Sequence, residues 1–216
     1  MSTLQLPAEV DELETKNFAV GTTGWTADDL DDPEIERLWL AGRYEIVEGV
    51  LTQVAAAAYL DGGGALTNLV TLLKNHIDTS GSGGMFAQET DVVLENMRVP
   101  RVDAIYLTAE ALVRQETINA ASRRPRGKYG RVRVAPALAI ESLSPGHEAH
   151  DRKTKRRWYA EAGVPHYWLL DAFGRTLECL VLEGSEYRTE AVARDADEVR
   201  TSLFPQLVIP LKQIWG

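Results

Sequence analysis

The sequence predicts an α/β domain built on a mixed β-sheet, and three observations lead there. Short runs rich in Val, Ile, Leu and Tyr recur between Gly- and Pro-bearing turns. Two longer stretches, 65–77 and 150–162, carry apolar residues at helical spacing. One run, residues 132–143, is largely apolar, the pattern of a strand covered on both faces.

The elements follow in chain order. Residues 1–24 mix Gly, Thr and acids without periodicity, so they are expected to form an acidic N-terminal arm ahead of a single domain over 25–216. Thr26 is placed to cap a short helix carrying Leu30, Ile35, Leu38, Trp39 and Leu40, which Asp32-Pro33 divides. Residues 44–54 read as two short strands around a Glu48-Gly49 turn. Leu66, Leu69, Val70, Leu73 and Ile77 then mark a helix over 65–77. Strands at 85–94 and 99–107 are expected to pair, with Val92, Val93, Val102 and Ile105 as β-formers. A helix over 109–118 runs into a basic, Gly- and Pro-bearing loop at 122–130. The apolar strand 132–143 ends in Ser144-Pro145-Gly146, and a helix over 150–162 is stopped by Gly163 and Pro165. Strands at 167–170, 177–182 and 187–193 complete the sheet, and residues 207–211 lie on its edge. Asp171 reads as a strand-end turn former and Cys179 as a core residue.

Charge narrows the function only once its distribution is considered. The chain has 216 residues, of which 32 are Asp or Glu and 23 Lys or Arg, a formal net charge of -9. Residues 1–50 hold twelve acids and three bases, so the entire excess lies there and the rest balances at 20 against 20. Within that neutral body, Arg123, Arg124, Arg126, Lys128, Arg131 and Arg133 form one basic cluster, and Arg152, Lys153, Lys155, Arg156 and Arg157 another. Overall acidity argues against a general nucleic-acid coat, whereas two local clusters fit phosphate contacts. The single cysteine excludes an internal disulfide and a thiolate metal cluster, which points to a reducing compartment. With no secretory leader pattern and no apolar run near the roughly 20 residues of a membrane span, a cytoplasmic protein without membrane contact is expected.

The chemistry-bearing residues sit at element ends. Glu141 lies among Leu138, Ile140 and Leu143, where a carboxylate is costly unless it is paired or holds a metal. Asp103 is placed similarly between Val102 and Ala104. Two such acids on neighbouring strands can hold a hard divalent cation such as Mg²⁺ or Mn²⁺; they can equally pair with arginines or cap turns. Downstream, Asp151, Lys155 and Tyr159 are spaced to share one helix face, with Trp158 and Ala162 close to it. An inward lysine beside two acids can orient water and stabilise charge on phosphorus; a surface Asp–Lys pair is the plainer alternative. His147 and His150 are three apart, not the four a helical zinc pair needs, and Gly62-Gly63-Gly64 lacks the layout of a phosphate-binding loop.

Taken in order, Arg43-Tyr-Glu-Ile-Val-Glu-Gly-Val-Leu51, Val102-Asp103, Glu141-Ser-Leu-Ser-Pro145, Asp151, Lys155, Tyr159, Gly163-Val164 and Tyr167-Trp-Leu-Leu-Asp171 resemble the bacterial putative restriction endonuclease family. The resemblance runs from about Thr26 to Ile209 and is most specific over 139–171. It implies a restriction-endonuclease-like core of the PD-(D/E)xK class, a mixed central β-sheet flanked by α-helices, acting as a metal-dependent nuclease. Carried over by position, Asp103 and Glu141 resemble the metal-binding acids, Glu45 the acid of the first strand, and Lys155 a catalytic lysine moved onto the helix. Asp151 and Tyr159 would then orient Lys155. This chain departs from the pattern in having Val102 before the aspartate, Leu143 two residues after Glu141, and no histidine around 64–67.

The resemblance makes nucleic acid, DNA above all, the expected partner, with Arg123, Arg124, Arg126, Lys128, Arg152 and Arg156 as phosphate contacts. A homodimer suits a one-site subunit that cuts two strands. The rival expectation, favoured by the missing proline and histidine, is a catalytically silent nuclease-like module that binds nucleic acid or regulates.

Overall fold

The computed structural model describes residues 16–54, 60–121, 131–146 and 148–215. The basic loop at 122–130, with Arg123, Arg124, Arg126 and Lys128, lies outside them, as do His147 and residues 1–15.

Helix α1 (Pro33–Leu40) is capped by Asp32, whose Oδ1 accepts the N–H of Glu34 at 2.8 Å and of Ile35 at 3.3 Å. Pro33 occupies the first turn, where its missing N–H costs nothing. Thr26, the expected cap, does something else: its hydroxyl and N–H both donate to Asp29 Oδ2 at 2.7 Å, ahead of a short 3-10 turn over Asp29–Asp31. Strands β1 (Tyr44–Val47) and β2 (Val50–Gln53) form a hairpin. Glu48 and Gly49, at φ 48° and 76°, make the expected turn, both residues left-handed as a tight two-residue loop requires. Residues 16–24, the described part of the expected arm, run against this hairpin. Gly21 N–H donates to Leu51 O at 2.8 Å, and Phe18 packs edge-on against Trp25 and Tyr44.

After α2 (Leu60–Ser80), which starts before the expected 65, come β3 (Met85–Asp91), β4 (Arg101–Leu107), α3 (Ala109–Ala121) and β5 (Leu138–Ser142). A π-helical turn (His150–Lys155) leads into α4 (Arg156–Glu161), followed by β6 (His166–Asp171), β7 (Thr176–Glu183) and β8 (Glu186–Arg194). Short strands β9 (Glu198–Val199) and β10 (Ile209–Pro210) pair with each other. The main sheet has the order β3-β4-β5-β6-β7-β8, parallel at β5–β6 and antiparallel at the other neighbours.

Two expected elements are shorter or different. The run 132–143 is not one strand: Val132 makes a single bridge to Val92, and the ladder begins at Leu138. Pro136 has no N–H to give a central ladder, so pairing resumes only beyond it. The helix expected over 150–162 opens as a π-turn, in which the Arg156 N–H reaches back five residues to Asp151 O. Tyr167 OH also donates to that carbonyl, at 3.1 Å. Tightly wound α-helix is thus replaced where a side chain from β6 competes for the backbone.

The sheet separates two cores. Leu138, Ile140, Trp168, Leu170 and Cys179 pack with Leu66, Leu69 and Leu73 of α2. Ala139, Tyr167 and Leu169 face the other way, toward Ala111 of α3 and Tyr159 of α4. Because side chains alternate along a strand, Glu141 shares the face of Ala139 and Leu143 and is delivered to Tyr159.

Candidate active site

Register builds the site. Ala104 pairs with Ile140 and Ile105 with Ala139, so the next residues in line, Asp103 and Glu141, face each other across β4 and β5. The same counting places Glu89 opposite Asp103, since Gln88 pairs with Ala104 and Thr90 with Val102. By register, three acidic residues thus stand in a row over three adjacent strands, the ladder itself skipping Glu89. Like charges directly opposite in a sheet repel, so the row costs stability.

From the other side, β1 and the π-turn close over this row. Lys155 Nζ lies 3.0 Å from Glu45 Oε1, 3.1 Å from Glu141 Oε1 and 3.6 Å from Asp151 Oδ1, and donates to Arg101 O at 3.3 Å. Tyr159 OH donates to Glu141 Oε1 at 2.6 Å. Glu45 Oε1 also accepts the Arg101 N–H at 3.0 Å, and Asp103 Oδ2 accepts the Ser142 N–H at 2.8 Å. Glu45, Glu141 and Lys155 are 2%, 2% and 5% exposed, whereas Asp103 is half-buried and forms the open side. Six of the sequence-selected residues, Glu45, Asp103, Glu141, Asp151, Lys155 and Tyr159, therefore share one cluster.

The electrostatics are unbalanced. Burial alone would lower Lys155, but Glu141, Glu45, Asp151 and Asp103 outweigh it and hold the ammonium above its ordinary range. Burial would likewise raise Glu45, but Lys155, His150 and the Arg101 N–H keep it below 4.5 and ionised. The remaining acids are not fully compensated. Burial, with Asp103 and Asp151 adding to it, lifts Glu141 well above its ordinary 4.5 against the opposing Lys155. Burial also raises Asp103 and Asp151 against Lys155, Glu89 and Asp151 pushing the first upward and Glu45 the second. Burial and Glu141 push the Tyr159 phenol well up, so it stays a proton donor.

Arg152 and Arg156, expected as phosphate contacts beside the site, are bonded away from the acids. Arg152 Nη1 donates to Glu178 Oε2 at 2.7 Å, and Arg156 Nη2 donates to Tyr187 O at 2.7 Å, both toward β7 and β8. Within the π-turn, Asp151 and Lys155 are the buried residues, four apart on one face, whereas Arg152 is exposed. The sequence marked His150, whose Nε2 is 3.5 Å from Glu45 Oε2, only as half of a mis-spaced zinc pair, and did not single out Glu89. Its one available signal was position, next to Asp151 for the former and on the strand before Asp103 for the latter.

Among the described residues, no three His, Cys, Asp or Glu side chains form a group that would hold a metal ion by themselves. The donor set suits Mg²⁺ differently. That ion is commonly held by one or two carboxylates, with water and substrate phosphate completing its shell. Asp103 and Glu141 supply two carboxylates, face to face and short of positive charge.

The family described as "Putative restriction endonuclease" (Uma2) has a model that matches residues 34–212. The chain belongs to this family. No curated protein matches it in sequence. Among solved structures, the crystal structure of a putative nuclease belonging to DUF820 from Anabaena variabilis ATCC 29413 superposes with a TM-score of 0.59. The match covers 80% of this chain and 89% of that one at 16% identity, a likeness of fold. The mixed six-stranded sheet with its flanking helices is thus the restriction-endonuclease-like core of a nuclease family. No helix among the described residues is long and apolar enough to cross a membrane.

Proposed function

We propose that this Uma2-family chain is a metal-dependent nuclease that hydrolyses phosphodiester bonds of nucleic acid, DNA foremost, with Mg²⁺ or Mn²⁺ held by Asp103 and Glu141. The observation that carries the reading is the facing pair of acids, with Lys155 as the buried cation beside them. When bound, the ion supplies charge neutralisation for the phosphoryl group and activation of water. Lys155, whose N–H groups meet Glu45, Glu141 and the Arg101 carbonyl, stabilises through its charge the negative charge that builds on the phosphoryl group. Glu45 and Asp151 fix that ammonium from two sides, and Tyr159 pins one oxygen of Glu141 so that the other faces the ion. The loop at 122–130, together with Arg152 and Arg156, would carry phosphate contacts, and a homodimer would present two such sites.

A silent nucleic-acid-binding module is the second reading, because three carboxylates already surround Lys155 and Val102 replaces the expected proline. Thermal melting with Mg²⁺ or Mn²⁺ separates the two. The nuclease reading expects the ion to raise the melting temperature, Asp103→Asn to abolish the rise, and plasmid nicking to fall about a hundredfold or more. A melting temperature indifferent to both ions, with no nicking, would leave the silent module.

A further inference from the structure

The row of acids continues outward to a residue with an unusual backbone. Glu89 lies within β3 yet has φ 50°, a left-handed conformation that costs a non-glycine residue energy and collects at functional positions. Its carboxylate stands close enough to Asp103 to raise that acid. Arg43, two residues before Glu45, reaches across and pairs with it, Nη2 to Oε2 at 2.7 Å. The pair is accessible, with side chains 30% and 45% exposed. It is also incomplete, because the Arg43 Nε–H is buried without a partner among the described residues.

The neighbouring cations are committed elsewhere. Lys155 is enclosed by acids. Arg101 bonds Asp91 and the Gly42 carbonyl, Arg98 pairs with Glu48, Glu95 and Glu161, and Arg152 pairs with Glu178. Among the described residues, Arg43 is held by one side chain, the exposed carboxylate of Glu89 at the end of the row of acids.

We infer that Arg43 is a substrate-phosphate anchor, parked on Glu89 in the free protein and transferred to a backbone phosphate flanking the scissile one when nucleic acid binds. The inference rests on the nuclease reading above. A phosphate offers the guanidinium fork several acceptors, so turning outward supplies a partner for Nε–H and removes Arg43 from the strained residue. Glu89 is then a positioning residue: its like charge beside Asp103 keeps anions off the row of acids, and its ion pair keeps Arg43 at the rim.

The test is the affinity of a fluorescent duplex oligonucleotide in EDTA, measured against salt concentration, with melting curves to confirm folding. Arg43→Ala should weaken binding about fivefold to tenfold and lower the salt slope by about one phosphate contact. Arg43→Lys should recover part of the affinity, the charge being kept and the fork lost. Glu89→Gln should act in the opposite direction, tightening binding about twofold to threefold by freeing Arg43, and that gain should vanish in the double variant. A merely structural pair would lower the melting temperature in both variants and leave the salt slope alone, which would overturn the inference while wild-type binding preserved the nuclease reading. Wild-type protein that neither binds nor nicks DNA or RNA would remove both.

Discussion

Two ion-pair systems tie the β1–β2 hairpin to the helical segment after β5, and they differ in how nearly they balance. On the surface, Glu48 at the hairpin turn meets Arg98 at 3.0 Å and Arg157 at 3.1 Å and accepts the Trp158 indole N–H at 3.0 Å. Arg98 also reaches Glu95 and Glu161, so three acids meet two guanidiniums in contact with water. Inside, Glu45, Asp103, Glu141 and Asp151 all act on one lysine. A surface mismatch is screened at little cost, whereas a buried one draws on folding stability. The outer network is what docking a hairpin needs. The inner one carries more acids than docking needs, and that excess is what the proposed metal ion would neutralise.

Removing the central cation is the strongest way to break this contrast. Lys155→Met leaves buried carboxylates unpaired and should destabilise the protein by about 3–5 kcal/mol in urea unfolding at neutral pH. Arg98→Ala, its counterpart outside, should cost about 1 kcal/mol or less. Equal losses would mean that the two networks do the same job. The loss in Lys155→Met should also shrink toward pH 5, where the acids can take up protons.

The next test runs against intuition. Glu141 is raised in the fold, so its favourable contribution is complete below its ordinary 4.5 and is lost as pH rises through the raised value. Asp103 behaves the same way above 3.8. Glu141→Gln should therefore leave the EDTA-treated protein as stable as the wild type at pH 7, or more stable by about 1 kcal/mol, while nicking falls about a hundredfold. A marked drop in stability would show the inner acids to be structural after all. By the same linkage, the melting-temperature gain from Mg²⁺ should grow between pH 5 and pH 8, because the ion competes with protons for Asp103 and Glu141. A gain independent of pH would place the ion elsewhere.

How much of this could be read from the sequence follows from which forces act locally. Glu141 and Asp103 were visible because a charge in an apolar strand is anomalous whatever surrounds it. Lys155 and Tyr159 were visible through helical spacing, and the Glu48-Gly49 turn through its own chemistry. The π-turn was not, because it arises where Tyr167, from a strand later in the chain, donates to Asp151 O. The divergence of Arg152 and Arg156 toward β7 and β8 follows from the same turn. Glu89 was hidden for a different reason: its importance lies in a register across three strands and a φ angle, neither of which its neighbours in sequence specify. Thr26 was a plausible cap until Asp32, beside a proline, offered a better one.

The smallest expected effect sharpens the contrast from the outer side. Arg157 is 58% exposed and pairs with Glu48 and with Glu161 one turn on, at 3.1 and 3.7 Å. Arg157→Ala should change stability by less than about 1 kcal/mol, and the difference should fade in high salt, where exposed charges are screened. Nicking and the Mg²⁺-induced gain in melting temperature should both be untouched, since Arg157 contacts none of the inner acids among its described partners. Were Arg157→Ala instead to weaken the Mg²⁺ response, the two networks would be coupled through Trp158, which bonds Glu48 and stacks edge-on with His150 at 5.8 Å. A double-mutant cycle with Glu45→Gln measures that coupling, and a value near zero means that the screened mismatch outside and the buried one inside are independent.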